Sequence, residues 1–420
     1  MLFTERQFRR TILCITGICL AVFLYNRCAP SVKDSEPESE GLSIRLISPV
    51  RGIPGDTVTI QGENFTNEIE VRFGVLPARI VEVSQNKIIT IVPEGVESNT
   101  NITVSLNKEV SNSLAFLYQI MDELELADPT IFLFNGTYYV YGTGGKSGDV
   151  DKGFLVYTSS DLRKWNGPKG VNQGFSLIKE HTFGDWGFWA PQVFLYKEEI
   201  YMAYTANENI AVAKSNSPLG PFEQHTVLKG TTRQIDPYIF IDDDGKVYLY
   251  YVKLSGGNKI YVAEMSDDLT SIKQETTQLC IEATNGWEDT QNIKWKVTEG
   301  PTVLKHNNKY YLFYSANHFE NRDYAVGYAV SESPLGPWSK FNGNPIVNRE
   351  LLGINGPGHG DFFKDKSGNL LYVFHTHFDN SRIQPRITAI IRGAFSDNIE
   401  DSYPKMILNT KTFNFLLLNN

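Results

Sequence analysis

The sequence predicts an all-β protein in which a small β-sandwich precedes a five-bladed β-propeller. One observation is a short phrase that recurs five times, followed each time by an apolar stretch, a polar turn and a second aromatic-rich stretch. Another is the spacing of the copies, at intervals of 62, 46, 63 and 60 residues, which suits one four-stranded antiparallel sheet per copy. The last is a series of short alternating stretches before the first copy, which is typical of a sandwich.

The five copies differ mainly in their opening residue. They read Asp128-Pro-Thr-Ile-Phe, Ala190-Pro-Gln-Val-Phe, Asp236-Pro-Tyr-Ile-Phe, Glu299-Gly-Pro-Thr-Val and His359-Gly-Asp-Phe-Phe. In a propeller the openings are expected to share one place, at the start of the innermost strand of every blade. Three carboxylates and one imidazole would then converge on the central axis.

Length and charge narrow the function classes. At 420 residues the chain is long enough for two domains. Its formal net charge of −9 argues against a nucleic-acid partner, since no basic surface is available to replace phosphate counterions. A neutral polysaccharide or oligosaccharide is compatible with this charge.

Residues 1–28 predict a signal peptide or lipoprotein signal. Arg9 and Arg10 precede an uncharged stretch at 11–25, which is shorter than the roughly 20 residues of a spanning helix. Cys28 lies where a lipoprotein would be acylated, although Arg27 replaces the small residue usual there. Periplasmic, cell-surface lipoprotein and secreted locations, and an uncleaved membrane anchor, all stay open. An acidic linker is predicted at 29–41.

Residues 42–120 form the predicted sandwich. The motifs in it are Ser48-Pro49, Gly55-Asp56, Ile60-Gln-Gly62, Asn64-Phe65, Val71-Arg-Phe-Gly74 and Val92-Pro93. This unit resembles the immunoglobulin-like TIG (IPT) domain. No titratable side chains are grouped in it, which favours a spacer over a carbohydrate-binding module.

Residues 121–420 form the predicted propeller, whose three acids point to glycosidic cleavage. That reaction needs one carboxylic acid to protonate the leaving oxygen and a second carboxylate on the other face of the sugar. A third acid nearby raises the proton affinity of its neighbour. Asp128 and Asp236 each precede a proline and, taken singly, are also common at strand entries. The role of the tail at 401–420 stays open.

A second resemblance covers all five blades. The motifs are Leu126-Ala-Asp-Pro-Thr130, Trp189-Ala-Pro-Gln192, Ile235-Asp-Pro-Tyr238, Thr298-Glu-Gly-Pro301 and Gly358-His359-Gly360. They resemble glycoside hydrolase family 43, which implies a propeller that inverts the anomeric centre of α-arabinofuranosides or β-xylosides. The resemblance implies Asp128 as general base, Glu299 as general acid and Asp236 as the residue that tunes the acid. Gln192 and Asp361 depart from the family pattern.

Further site residues follow from the same resemblance and from position. Trp189 is assigned to a sugar face, with Arg386, Gln192 and His318 as other substrate-binding residues. His318 has a strand-end position, as do His375 and His377, and no spacing singles out any of the three. His359 is predicted near the axis, where Ca²⁺ or a satisfied core histidine are the alternatives.

Two other functions stay open at this point. A retaining propeller of fructan type would have its carboxyl groups about 5 Å apart, against roughly 6.5–9.5 Å for an inverting enzyme. A non-catalytic glycan-binding propeller would repeat one pocket per blade, whereas here the opening residue changes between blades.

Overall fold

The computed structural model consists of a sandwich followed by a propeller. It describes residues 41–96, 99–118, 123–144, 150–228, 233–284, 286–396 and 403–419. The predicted signal at 1–28, with Cys28, and linker residues 29–40 lie outside these ranges. No helix in the described ranges has the length and apolar character needed to cross a membrane.

The sandwich contains nine short strands. They are β1 (Ser43–Ser48), β2 (Arg51–Gly52), β3 (Thr57–Glu63), β4 (Glu70–Phe73), β5 (Leu76–Ser84), β6 (Lys87–Ile91), β7 (Thr100–Leu106), β8 (Glu109–Val110) and β9 (Leu114–Tyr118). Their order is β1-β3-β6-β5-β4-β7-β9-β2, with β8 paired to β7. Alternate residues of β3 and β4 are buried, as expected for strands with one face in a core.

The propeller has five blades in the described residues, as predicted, and blades 2 to 5 are each one four-stranded sheet. Blade 1 departs from the predicted single sheet, because its strands belong to one three-stranded sheet and two separate strand pairs. Blade 1 contains β10 (Leu126–Phe134), β11 (Thr137–Gly144), β12 (Gly153–Leu155), β13 (Tyr157–Ser159), β14 (Lys164–Trp165) and β15 (Phe175–Ile178). Blade 2 contains β16 (Trp189–Tyr196), β17 (Glu199–Ala206), β18 (Asn209–Ser215) and β19 (Glu223–Val227). Blade 3 contains β20 (Gln234–Ile241), β21 (Val247–Leu254), β22 (Asn258–Glu264) and β23 (Gln278–Ile281). Blade 4 contains β24 (Thr298–His306), β25 (Lys309–Ala316), β26 (Ala325–Ser331) and β27 (Ser339–Lys340). Blade 5 contains β28 (Gly358–Lys364), β29 (Leu370–Thr376), β30 (Ile387–Phe395) and β31 (Met406–Phe415).

In the described ranges, helical turns are few and lie between strands. Three 3₁₀ turns span Lys179–His181, Gln274–Thr276 and Gly286–Glu288, and one α-helical turn, α1, spans Arg349–Leu352. Asn348 caps α1 by accepting the Leu351 N–H, and Gly353 ends it in the left-handed conformation. The second strands β17, β21 and β25 are almost completely buried, because blades cover both of their faces.

The chain tail closes the ring of blades. β31 is the fourth strand of blade 5, and β32 (Leu417–Leu418) pairs in parallel with β14 of blade 1. Leu416 links the two blades, because its N–H donates to the Thr388 carbonyl and its carbonyl accepts the Leu124 N–H. The tail, whose role the sequence left open, therefore joins the first blade to the last.

The sandwich packs directly on the propeller. Ile47 and Phe116 of the sandwich belong to the same hydrophobic cluster as Phe374 and Phe415 of blade 5. Arg51 enters this contact from β2, where it pairs with Glu123 and its guanidinium lies 4.3 Å from the Phe378 ring centre. The sandwich is thus joined to blade 5 by both apolar and charged contacts.

Replacing Arg51 with Ala is expected to lower the free energy of unfolding by about 3 kcal/mol, because Glu123 would keep a buried charge without its partner. The Arg51 and Glu123 side chains are only 3% and 9% exposed. The matched control is Arg45→Ala, which removes an arginine that is 64% exposed from its pair with Glu63. This control should cost less than about 1 kcal/mol. Urea denaturation measures the free energy of unfolding of both variants. Equal decreases would show that the buried pair stabilises the protein no more than the exposed pair does.

Candidate active site

One cleft collects most of the predicted site residues. Its volume is about 320 Å³, and its lining is Asp128, Trp189, Ile235, Asp236, Asn258, Trp295, Val297, Glu299, His318, Phe319, His359 and Arg386. The three predicted acids therefore share one concave surface. All three are buried, with exposures of 8% for Asp128, 5% for Asp236 and 9% for Glu299.

A β-bulge with a left-handed residue sits at the start of every innermost strand. The left-handed residues are Asp128 (φ 48°), Ala190 (φ 46°), Asp236 (φ 55°), Gly300 (φ 59°) and His359 (φ 41°). Four of them precede a proline, which is tolerated at a bulge because it need not donate to the ladder. The recurring X-Pro phrase is thus the sequence of the bulge.

The prediction that all five opening residues share one place is wrong for Glu299. Glu299 pairs with Ser315 across the strand, as Trp189 pairs with Thr205 and Ile235 with Val252. It therefore lies one residue before the bulge, and Gly300 occupies the position of Asp128 and Asp236. A Cβ at Gly300 would lie 2.8 Å from the His359 ring, so the bulge of blade 4 has no room for a side chain.

The bulges are tied to the preceding blade by hydrogen bonds. The N–H groups of Ala190, Asp236, His359 and Asp128 donate to side chains of Thr143, Thr205, Ser315 and His375, all at one position of the second strand. Blade 3 has Val252 at that position, which cannot accept. The Gly300 N–H donates instead to Asp236 Oδ2 at 3.1 Å, which orients the Asp236 carboxylate.

Asp128 is surrounded by donors and cations. Thr143 Oγ1 donates to Oδ2 at 2.6 Å and Arg386 Nη1 donates to Oδ1 at 3.0 Å, while His359 Nδ1 and His375 Nδ1 each lie 3.3 Å from Oδ1. Burial alone would raise the pKa of Asp128, but Arg386, His359 and His375 together hold that pKa well below its ordinary value. Asp128 is therefore ionised at neutral pH.

His375 is a site residue that sequence reasoning missed. It is fully buried on β29, and burial, followed by the nearby Arg386 charge, lowers its pKa to about 3. Its Nδ1 accepts the Asp128 N–H at 3.1 Å. His375 thus acts as a neutral support for the backbone of Asp128.

Glu299 has a different environment. Tyr324 donates to Oε1 at 2.9 Å and Asn258 Nδ2 donates to Oε2 at 3.0 Å. Burial, followed by the nearby Asp236 charge, raises the pKa of Glu299 to about 7. Glu299 can therefore hold a proton at neutral pH, which Asp128 does not.

Asp236 resembles Glu299, and differs from Asp128, in that its pKa is raised. Burial, followed by the Asp128 charge, raises its pKa to about 7, and His359 Nδ1 lies 3.8 Å from its Oδ2. The Asp236 charge in turn contributes to the raised pKa of Glu299. The predicted role of Asp236 in tuning the acid stays a prediction.

The predicted substrate-binding residues fall into two groups. Trp189, Arg386 and His318 line the cleft. The Arg386 guanidinium lies over Phe319 at 4.6 Å, and its buried Nε has no hydrogen-bond partner among the described residues.

Gln192 lies outside this cleft. Its side-chain amide accepts the Ile239 N–H at 2.6 Å and donates to the Ile239 carbonyl at 3.0 Å, which joins blade 2 to blade 3. Asp361 is beside it on the axis and accepts hydroxyls from Thr130 and Thr302, both at 2.8 Å. Gln192 and Asp361, the two departures from the family pattern, therefore line the same small axial cavity of about 20 Å³, which Asp128 and Asp236 also line.

The donor set around His359 does not fit a Ca²⁺ site. Its Nδ1 faces Asp128 and Asp236, and the nearby Asp361 oxygens already accept two hydroxyls. Within the described ranges no three His, Cys, Asp or Glu side chains are arranged to hold a metal.

Comparison with known proteins gives two domain matches. Residues 122–398 match the family described as "Glycosyl hydrolases family 43", and residues 42–118 match the IPT/TIG domain. Both agree with the resemblances read from the motifs.

Relatives and solved structures extend the match. A solved protein of Bacteroides thetaiotaomicron described as an endo-1,4-β-xylanase is 41% identical with a TM-score of 0.63, over 71% of this chain and 98% of that one. A thermostable family-43 glycoside hydrolase is 37% identical with a TM-score of 0.60, over 68% of this chain and 93% of that one. The β-D-galactofuranosidase of Aspergillus niger is 26% identical over 64% of this chain and 80% of that protein. An extracellular endo-α-(1→5)-L-arabinanase of Bacillus subtilis is 27% identical over 61% of this chain and 57% of that protein.

Proposed function

Because the chain belongs to glycoside hydrolase family 43 and is therefore a glycosidase, we propose that it hydrolyses arabinofuranosyl or xylosyl linkages with inversion of the anomeric centre. Asp128 is the general base, Glu299 the general acid and Asp236 the residue that keeps Glu299 protonated. The substrates are plant-type polysaccharides or their oligosaccharides.

The observation that carries this proposal is the difference in surroundings between two buried acids in one cleft. The Arg386 guanidinium donates to Asp128, whereas the Glu299 carboxyl accepts its hydrogen bonds from the neutral side chains of Tyr324 and Asn258. Acid and base catalysis need one protonated and one ionised carboxyl at the same pH. A glycan-binding propeller without catalysis has no need for this asymmetry.

The reaction proceeds in a single displacement. Asp128 accepts a proton from a water molecule while the water oxygen bonds to the anomeric carbon. The bond from that carbon to the glycosidic oxygen breaks, and Glu299 gives its proton to the departing oxygen. Asp128 then releases its proton and Glu299 regains one from solvent.

The sugar is proposed from the relatives. Those matched are named for xylan, arabinan and galactofuranosides, of which the first two are pentose polymers. Arabinofuranosides and galactofuranosides share a five-membered ring, so a galactofuranoside belongs in any substrate panel. A retaining enzyme of fructan type is the alternative that stereochemistry distinguishes.

The test is proton NMR of the first product formed from nitrophenyl arabinofuranoside, xyloside and galactofuranoside. We expect release of a pentose whose anomeric configuration is opposite to that of the substrate. Retained configuration would overturn the inverting mechanism, and release of galactose alone would overturn the pentose assignment.

The pH dependence of kcat/KM should show a basic limb near pH 7 and no acidic limb above pH about 4. The pKa of Glu299 is raised to about 7, so its protonated form is lost as the pH rises through that value. The pKa of Asp128 lies below its ordinary 3.8, so the base stays ionised. In Asp236→Asn the basic limb should move to lower pH, because a neighbouring negative charge is gone. An unchanged limb would contradict the tuning role.

Location and attachment are also proposed. Export is supported by the predicted signal at 1–28 and by the arabinanase relative, which is named as extracellular. Attachment to a membrane through a lipid on Cys28 is the more specific form of this proposal. Mass spectrometry of the membrane fraction, with Cys28→Ala as control, distinguishes it from simple secretion.

A further inference from the structure

Two tryptophans stand out on the surface. Trp186 and Trp295 are 45% and 43% exposed, and in the part of the chain that the structure describes no other Phe, Tyr or Trp is classed as exposed. A large apolar ring in water is unfavourable, so an exposed one often marks a binding surface. Trp295 lines the cleft, and Trp186 contacts Trp189, which also lines it.

Trp295 is fixed beside the proposed acid. It lines the cleft, and its Nε1 donates to Asn258 Oδ1 at 2.8 Å, while Asn258 Nδ2 donates to Glu299. A sugar that leaves from the Glu299 side would meet this ring. Trp295 therefore belongs to the cleft already described.

Trp186 lies one step further out. Its ring packs edge-to-face on Trp189, with 5.8 Å between the ring centres and an angle of 70°. Trp189 lines the cleft, whereas Trp186 does not. The apolar surface of the cleft thus continues through Trp189 to Trp186.

The backbone that carries Trp186 is held in place. Asn207 Oδ1 accepts the N–H groups of Asp185 and Trp186 at 3.0 and 3.1 Å, and the Asn207 N–H donates to the Trp186 carbonyl at 3.0 Å. The Gly187 N–H donates to Asp151 at 2.9 Å. Gly187 has a φ of 67°, and a Cβ there would lie 3.0 Å from the Trp189 ring. A fixed ring loses little conformational entropy when a ligand binds.

We propose that Trp186 forms a sugar-binding subsite outside the catalytic cleft, so that the enzyme acts on a chain of several sugars. The apolar C–H face of one sugar ring lies against the exposed indole while another sugar occupies the space between the acids. The inference rests on the proposed function for the identity of the chain, a xylo- or arabino-oligosaccharide.

The kinetic test compares Trp186→Ala with Leu195→Ala, which removes an apolar side chain of the same blade that is 48% exposed. Substrates are nitrophenyl monosaccharides and oligosaccharides of increasing length. We expect Trp186→Ala to lower kcat/KM about tenfold on the longer oligosaccharides, through KM, and to leave nitrophenyl monosaccharides within about twofold. Trp186→Phe should recover most of the loss. Leu195→Ala should match the wild type.

Two results would overturn the subsite. Equal losses on monosaccharide and oligosaccharide would show that Trp186 merely supports Trp189. No loss on any length would show that no sugar binds there.

A binding measurement separates this inference from the proposed function. Oligosaccharides are titrated by calorimetry into Glu299→Gln and into the same protein with Trp186→Ala. Weaker binding of long chains to the second variant supports the subsite even if the wild type hydrolyses none of these chains. Absence of hydrolysis would contradict the proposed function but not the subsite. Equal binding to both variants overturns the subsite whatever the hydrolysis assays show.

Discussion

Asp128→Asn is expected to lower kcat by about 10³- to 10⁴-fold on every glycoside, whatever its leaving group. An amide cannot take the proton of the attacking water. The backbone should be undisturbed, because Asn tolerates the left-handed conformation that residue 128 adopts at φ 48°. The Asn oxygen can also still accept from Arg386 or Thr143.

The matched control is Asp242→Asn. Asp242 is also buried, at 8% exposure, and pairs with Lys305 and Tyr310, but it does not line the cleft. This variant should lose stability and keep its kcat. Azide, a nucleophile that needs no base, should restore part of the Asp128→Asn activity. Activity within tenfold of the wild type would remove Asp128 from the role of base.

Glu299→Gln is expected to lose activity in a way that depends on the leaving group. With oligosaccharides, whose departing oxygen needs a proton, kcat should fall by about 10²- to 10⁴-fold. With dinitrophenyl glycosides, whose leaving group departs as a stable anion, most of the rate should remain. The Gln side chain fits the site, because its oxygen can accept from Asn258 while its amide donates to the Tyr324 oxygen.

Glu288→Gln provides the control for this variant. Glu288 is 1% exposed and is held by Lys340 and Tyr314, outside the cleft lining. Its replacement should affect stability without any dependence on the leaving group. If Glu299→Gln lowered the rates of dinitrophenyl and sugar substrates equally, Glu299 would not be the acid.

The fold was predictable because the repeats carry local signals. Each bulge is marked in the sequence by an X-Pro or X-Gly dipeptide, and the turns are marked by Gly, Asn or Pro. The five blades could therefore be counted from the sequence. The register of blade 4 was also present in the sequence. Aligning Pro301 with Pro129, Pro191 and Pro237 places Gly300, and not Glu299, at the bulge.

Part of the acid environment was predictable in the same way. Thr143, Thr205, Ser315 and His375 each follow shortly after an aromatic run in the second strand. An alignment of second strands would have shown a hydrogen-bonding residue in four blades and Val252 in the other. It would have singled out His375 from His377 and His318, which the blade openings alone did not.

Other contacts leave no such pattern. Tyr324 and Asn258 donate to Glu299 from separate segments, and Trp295 donates to Asn258. Only the folded chain brings these residues together. Gln192 was predicted to contact substrate because the family resemblance places it in the second-blade motif, after Trp189-Ala-Pro. Because side chains alternate between the two faces of β16 and the bulge shifts this alternation, the Gln192 side chain points towards the propeller axis instead. There it forms hydrogen bonds with the Ile239 backbone.

Ring closure by the tail has a practical consequence for protein production. A fragment cut to the matched residues 122–398 would lack β31 and β32. Blade 5 would be left with a bare edge along β30, and Trp165 would lose the neighbours that cover it in blade 1. A protein expressed only to the end of the family match would thus have an open ring that is prone to aggregation. A protein expressed to residue 419 keeps the strand pairing that joins blade 5 to blade 1.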